Sequence, residues 1–397
     1  MAGTRILRAL SVACVMIMVL TSFSMLVLAK KDDDQKVRVI VLFKEKVDKK
    51  LVEDSGGEIL DTYDIIPGVV TELTADEIKA LRKSSNIRSI EEDGHAEIVG
   101  ADNEAKPGGS GGGTPPAEVL PWGVNRIDAD LAWTKSTGAG IKVAVLDTGI
   151  DKTHPDLKDH VKGGVNFVPS RGIVDSTAWN DDNGHGSHCA GIIGAIDNTI
   201  GVIGVAPNVD IYSVKVLNKQ GSGDWSWIIG GINWAVTNHM QVISMSLGGG
   251  GSTALKTACD SARAAGILII AAAGNDGGAV IYPAAYESVI AVGATNNADA
   301  RASWSCYGPE LDLVAPGVSI YSTYKSGGYA TMSGTSMACP HVAGTVALVL
   351  QSHLGWTPSQ VQTYLQTTAD DLGATGFDPY YGYGLVDAQE AATGVQS

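Results

Sequence analysis

Apolar residues are patterned in three ways along the chain. Residues 9–28 form a predominantly apolar run without charged residues, preceded by Arg5 and Arg8. From residue 36 the pattern changes to short β-branched runs between charged stretches. Residues 36–43 (KVRVIVLF) predict a strand, residues 46–54 a helix, residues 58–73 two strands about a turn at Pro67-Gly68, and Ile87–Glu92 a last strand. Thr74 with Glu77 three residues on forms a capping box that opens a helix to Lys83. The order β-α-β-β-α-β predicts a small ferredoxin-like α+β sandwich. Taken alone, the pattern suits an independent binding module.

Beyond residue 120 the apolar runs are nearly continuous: 141–146 ending in Asp147, 209–217, 242–247, 267–273 and 289–294. Helical stretches are predicted between and after them, at 224–239, 253–265 and 335–353. Thr357-Pro358-Ser359-Gln360 is a helix start, with Thr as N-cap, Pro at N1 and Gln at N3. Strands without polar alternation, separated by helices, predict an α/β fold whose parallel sheet has helices on both faces. In such sheets sites form at the carboxyl ends of the strands, which singles out Asp147. Residues 107–116 (PGGSGGGTPP) cannot pack a core and form a linker.

Composition narrows the functional classes. The 397 residues carry a net charge of −15, most of it beyond residue 101, and all eight Trp lie beyond residue 120. Such an acidic chain is a poor general binder of nucleic acid. Five cysteines cannot make a dense disulfide scaffold. Cys14 lies in the first apolar run; Cys189, Cys259, Cys306 and Cys339 remain, with their pairing open. Cys189 and Cys339 read as small buried apolar residues. The first run reads as a secretory signal peptide with a cleavage site at Val27-Leu28-Ala29, a retained N-terminal anchor being the alternative. Once it is cleaved, a secreted product with no stable membrane association is expected.

Three segments combine glycine with a reactive side chain: Asp147-Thr148-Gly149, Asn183-Gly184-His185-Gly186-Ser187-His188, and Gly334-Thr335-Ser336-Met337. Together they supply an acid, a base and a nucleophile. Ser is a weak nucleophile until a His takes its proton, and a carboxylate holds that His in one tautomer. A glycine-flanked entry into a helix aims backbone N–H groups at a developing negative charge. His185-x-x-His188 has zinc-like spacing, but no nearby Glu completes a zincin motif. Asp147-Thr148-Gly149 with Asp54-Ser55-Gly56 echoes the paired motif of aspartic peptidases, a reading opposed by the alternating strands and helices.

In chain order Asp, His, Ser, these segments closely resemble the subtilisin family of serine endopeptidases, over residues 121–392, and the 30–100 segment resembles that family's propeptide. The resemblance implies that Asp147 orients His185, the general base, and that Ser336 attacks the scissile carbonyl. Ala271-Ala272-Ala273-Gly274-Asn275 matches the oxyanion segment, with the Asn275 amide as donor. Gly221, Ser222 and Gly223 on one side, and Ser246, Leu247, Gly248 and Gly249 on the other, would hold an extended peptide by β-augmentation. Ala273 and Gly274 would line the cleft, and Asp276 and Ile281 the S1 pocket, with large apolar P1 residues expected. A structural calcium site is implied at Glu118, Asp156 and Asn198 with the carbonyls of Ile196, Ile200 and Val202, and a weaker cation site at Glu310 and Asp312 with the Ala284 and Tyr286 carbonyls. The implied organisation is signal peptide 1–29, propeptide 30–100 acting as chaperone and inhibitor, linker 101–117 and catalytic domain 118–397. Self-cleavage is expected near residues 98–101, giving a monomer that acts on protein and peptide substrates.

Overall fold

The computed structural model describes residues 35–99, 106–108, 115–170 and 172–395. The expected signal peptide and most of the linker lie outside the described residues. Among the described residues, no helix is long and apolar enough to cross a membrane.

The N-terminal unit contains β1 (Val37–Phe43), α1 (Lys49–Asp54), β2 (Glu58–Thr62), β3 (Gly68–Leu73), α2 (Ala75–Leu81) and β4 (Ile87–Glu92). Its strands form an antiparallel sheet in the order β2-β3-β1-β4. Helix α1 starts later than predicted because Asp48 caps it, accepting from Leu51 N at 3.0 Å. The Thr74–Glu77 capping box is present in both directions. Val39, Val41 and Phe43 face α1 and α2, in a small core with Val52 and Leu81. Ile40, Leu42 and Val70 face the other way and share a core cluster with Trp225, Ile228 and Ile232 of the body. The alternation of a strand sends neighbours to opposite faces. The second face is thus covered by the rest of the chain, which corrects the picture of a free-standing module.

The chain continues through β5 (His95–Ile98), β6 (Lys106–Gly108), α3 (Trp122–Arg126), α4 (Ala129–Ala132), β7 (Lys142–Asp147), β8 (Val161–Asn166), α5 (His185–Gly194), β9 (Asp210–Lys215), β10 (Ser222–Asp224) and α6 (Trp225–Thr237). Then follow β11 (Val242–Met245), β12 (Leu247–Gly249), α7 (Thr253–Ala264), β13 (Leu268–Ala272), β14 (Ile290–Thr295), β15 (Leu313–Pro316), β16 (Ile320–Tyr324), β17 (Gly328–Met332), α8 (Thr335–Ser352), α9 (Pro358–Thr367) and α10 (Ala388–Thr393). Seven strands form one parallel sheet in the order β15-β14-β13-β11-β7-β9-β8.

Both faces of this sheet are dry. Val143, Val145 and Ile270 pack with residues of α5, α8 and α10, whereas Ala144, Leu146 and Ile269 pack with residues of α6 and α7. This is why the strands read as unbroken apolar runs. Sequence reading missed the edge strands: β8 (VKGGVN) lacks that signature, and β15 (LVAP) has it over only four residues. The predicted run 242–247 divides at Ser246: β11 stays in the large sheet, and β12 leaves it to pair with β5.

Candidate active site

Asp147 ends β7 and is fully buried. His185, the first residue of α5, places Nδ1 2.8 and 2.9 Å from the two Asp147 carboxylate oxygens. Asp181 holds the entry to α5, accepting from Asn183 N, Gly184 N, Ser187 N and Ser187 Oγ. Thr148 Oγ1 joins the two segments, donating to Asp181 at 2.9 Å and accepting from Gly186 N at 3.0 Å. Sequence reading passed over Asp181 and Thr148. The signal was Asp-Asp-Asn-Gly ahead of a helix, where an aspartate commonly satisfies the first backbone donors. Burial disfavours the charged His185 ring, but the Asp147 carboxylate outweighs it and holds the ring's pKa well above the ordinary 6.5.

Ser336 is the second residue of α8, on the same side of the sheet. Pro340 lies in this helix and has no N–H for the carbonyl four residues back. That carbonyl belongs to Ser336, and it accepts instead from Ser246 Oγ at 2.8 Å and Cys189 Sγ at 3.5 Å. Beyond the helix start, the Asn275 carboxamide is locked. Its Oδ1 accepts from Thr335 N and Thr335 Oγ1, both at 2.9 Å. Its Nδ2 is thereby turned outward and donates to the Val99 carbonyl oxygen at 2.7 Å. Ser336 Oγ donates to the same Val99 oxygen and, at 3.2 Å, to Ser246 O. His185 Nε2 is buried with no hydrogen-bond partner.

Val99 arrives there because the tail of the N-terminal unit lies in the cleft. β5 pairs antiparallel with β10 on one side, Ser222 opposite Glu97 and Gly223 opposite Ala96. It pairs antiparallel with β12 on the other, Leu247 opposite Ile98, Gly248 opposite Glu97 and Gly249 opposite Ala96. Ile98 N donates to Gly221 O at 2.8 Å, and Val99 N to Ser246 O at 3.3 Å. The glycines let two backbones approach: a Cβ on Gly249 would stand 2.5 Å from the His95 carbonyl oxygen. Ala273 and Gly274 form the wall behind Asn275. Ala273 O accepts from Ile281 N at 3.0 Å, and Gly274 N donates to Thr335 Oγ1 at 3.2 Å. Asp276 Oδ1 accepts from Cys306 Sγ at 2.8 Å.

The loop expected to hold a cation also converges. Glu118 Oε1 accepts from Asn198 N at 2.7 Å. Asp156, fully buried, accepts at Oδ1 from Asn198 Nδ2 (2.9 Å), and at Oδ2 from Val202 N (3.0 Å) and Tyr329 Oη (2.8 Å). Ile196 N donates to Asp156 O, and Ile200 N to Asn198 Oδ1. Gly201 has φ 67°, and a Cβ there would lie 2.0 Å from Asp156 Oδ2. Burial, and then repulsion from Asp197 and Asp156, raises the Glu118 pKa. Oxygen donors and crowded negative charge suit a hard cation.

Other residues singled out in the sequence take local structural roles. At the weaker cation site, Asp312 accepts from Ala291 N and from the Gln362 and Gln366 amides. His188 turns from His185, its Nε2 lying between the Ile320 and Ala330 carbonyls. Asp54 pairs with Lys50 on the surface, far in role from a carboxylate dyad with buried Asp147. Cys189, Cys259, Cys306 and Cys339 are free and buried, and burial pushes the Cys306 and Cys339 thiols up to about 11 and 12.

Comparison with known proteins agrees with this geometry. Residues 138–384 match the Subtilase family, and residues 26–98 match Peptidase inhibitor I9. Subtilisin of Bacillus pumilus is 52% identical over 283 residues, 70% of this chain and 100% of the relative. Subtilisin NAT of Bacillus subtilis subsp. natto is 44% identical over 351 residues, 87% of this chain and 85% of the relative. An alkaline protease of Alkalihalobacillus alcalophilus is 46% identical over 339 residues, 85% and 82% respectively. The chain belongs to the subtilase family, as a serine endopeptidase of subtilisin type with an inhibitor domain ahead of its catalytic fold.

Proposed function

We propose that the protein is a secreted zymogen that cleaves its own chain at Val99–Gly100 and then hydrolyses extended segments of other proteins. The observation that carries this reading is the Val99 carbonyl, held between Ser336 Oγ and Asn275 Nδ2 at the end of a strand paired on both sides. The Ser336 oxygen adds to the carbonyl carbon while its proton passes to His185 Nε2. Asp147 holds the ring and stabilises the imidazolium that forms. Negative charge collects on the carbonyl oxygen, where Asn275 Nδ2 and the Ser336 backbone N–H receive it. The C–N bond breaks, the leaving amine takes the proton from His185, and an ester to Ser336 remains. Water, losing its proton to His185, cleaves that ester and restores the hydroxyl.

In this reading residues 1–29 are the signal peptide, 30–99 the inhibitory propeptide (one residue short of the expected boundary at 100), 100–117 the linker and 118–397 the working enzyme. Gly221, Ser222, Gly223, Ser246, Leu247, Gly248 and Gly249 hold substrate backbone, with Ala273 and Gly274 behind it. Glu118, Asp156 and Asn198, with the Ile196, Ile200 and Val202 carbonyls, hold calcium, which supplies a structural counter-charge for the loop. The Gly201 cradle and the gathered carboxylates support this assignment.

The test uses the full chain and its Ser336→Ala variant. The wild type should yield a mature protein beginning at Gly100 and label at Ser336 with a fluorophosphonate. The variant should remain an intact precursor. Processing of the variant, or inhibition by pepstatin-type compounds instead, would overturn the reading.

A further inference from the structure

Across the β5–β10 ladder the docked tail meets the body through a side-chain ion-pair geometry that backbone pairing does not require. His95, the fifth residue before the Val99–Gly100 bond when Val99 is counted as the first, stands opposite Asp224 in the β5–β10 ladder. Its Nδ1 lies 2.7 Å from Asp224 Oδ1. Arg38 brings a guanidinium to the same carboxylate, Nη1 3.5 Å from Oδ2. Asp224 occupies the N-cap position of α6, yet its side chain makes no capping bond. The first turn of that helix is served from the other chain segment instead, by Asp93, which accepts from Ser226 N at 2.8 Å and Ser226 Oγ at 2.6 Å. Asp93 is also 3.6 Å from Arg38. The body thus contributes Asp224 here, and the N-terminal unit contributes Arg38 from β1 and Asp93 and His95 from its tail.

When the N-terminal unit leaves, Asp224 loses both the Arg38 guanidinium and the His95 ring. It remains at the rim of the cleft, in register with the fifth residue before the scissile bond. A carboxylate so placed attracts a cation on the substrate and repels an anion.

We infer that Asp224 is a specificity-determining residue that selects substrates with a basic side chain at the fifth position before the scissile bond. The inference rests on the proposed assignment of Val99 to the scissile carbonyl, which fixes the counting. The contact is partly exposed, so it changes discrimination modestly and through KM, leaving the chemical step at Val99 untouched. Glu97, two positions nearer the bond, sits by Ser222 Oγ at 3.5 Å and makes no claim on Asp224.

The experiment measures kcat/KM of the mature enzyme on matched peptides that differ only at the fifth position: Lys, Ala or Glu. Lys should exceed Glu by about threefold to fivefold, the size of one partly exposed ion pair, with the difference in KM. Raising the salt to 1 M should erase most of it. In Asp224→Asn the Lys-to-Glu ratio should fall to near one, and in Asp224→Lys it should invert. Active-site titration with a fluorophosphonate normalises each variant for folded enzyme. A ratio near one in the wild type, or one that survives both substitutions, overturns the inference. Failure of the wild type to cleave any of the peptides, or cleavage at another bond, would instead sink the assignment on which it rests.

Discussion

The Asn275 carboxamide nitrogen donates to the Val99 carbonyl oxygen at 2.7 Å. It can do so because Thr335 occupies the other end of the amide through both its N–H and its hydroxyl. The donor is held in place before any charge develops on the oxygen, which is how a preorganised site stabilises a transition state without reorganising. Asn275→Ala should therefore lower kcat by about 10²–10³, the loss known for such a donor in subtilisin itself, with KM little changed. Steady-state kinetics on a short peptide checks this.

Thr335 should act through that amide. In Thr335→Ala the carboxamide loses one of its two fixed donors, and kcat should fall by about tenfold, the worth of one buried hydrogen bond. Thr335→Ser keeps the hydroxyl and should restore most of the rate. Equal losses in both variants would point to packing of the Thr methyl instead.

The pairing of His185 with Asp147 sets the pH profile. The base works only when neutral, and its pKa is raised above the ordinary 6.5. Activity should therefore be lost as pH falls through that raised value and be full on the alkaline side. Asp147→Asn removes the stabilising charge, so the inflection should move down while the plateau rate drops about 10⁴-fold, as known for serine peptidases of this kind. An unshifted profile would deny Asp147 its place.

Calcium should stabilise the mature enzyme. A chelator should lower the melting temperature, and saturating calcium at about 100 times the Kd should contribute about 2.7 kcal/mol. Asp156→Asn should remove most of this calcium dependence. A wild-type melting curve that ignores both chelator and added calcium would count against the loop as a metal site.

Asp387 carries a separate prediction. Its Oδ1 caps α10 by accepting from Glu390 N at 2.7 Å, while Oδ2 is buried without a partner. Burial, helped by Asp370 and Asp128, raises its pKa to about 6 from 3.8. The folded state thus holds the proton more tightly than the unfolded chain, so stability falls as pH rises from about 4 to 6. Asp387→Asn keeps the cap without the charge. It should be more stable than wild type by about 1 kcal/mol at pH 8, after solvent screening, and the difference should vanish below pH 4. Denaturant melts at both pH values decide it.

The sequence alone determined the layer architecture and the chemical kit. Unbroken apolar strands flanked by helices have no other economical burial than a parallel sheet covered on both faces. Capping signals such as Thr74–Glu77 and Thr357–Gln360 are local, so they survive intact in the structure. Asp147, His185 and Ser336 stand out because reactive side chains among glycines are legible one segment at a time. Edge strand β8 was not legible, since lysine and glycines interrupt its apolar positions, and β15 was not because its apolar run is only four residues long.

Only the tertiary structure decided what joins these pieces. Asp147 and His185 are 38 positions apart, and Val99 and Ser336 237 apart, yet each pair meets. Whether Ile40 and Leu42 face solvent or the body depends on α6, which lies far along the chain. The break at Ser246, which sends β12 into a second sheet, is likewise invisible in a run of apolar residues. A pattern reports which residues seek burial or chemistry; which partner each one finds is set by long-range packing.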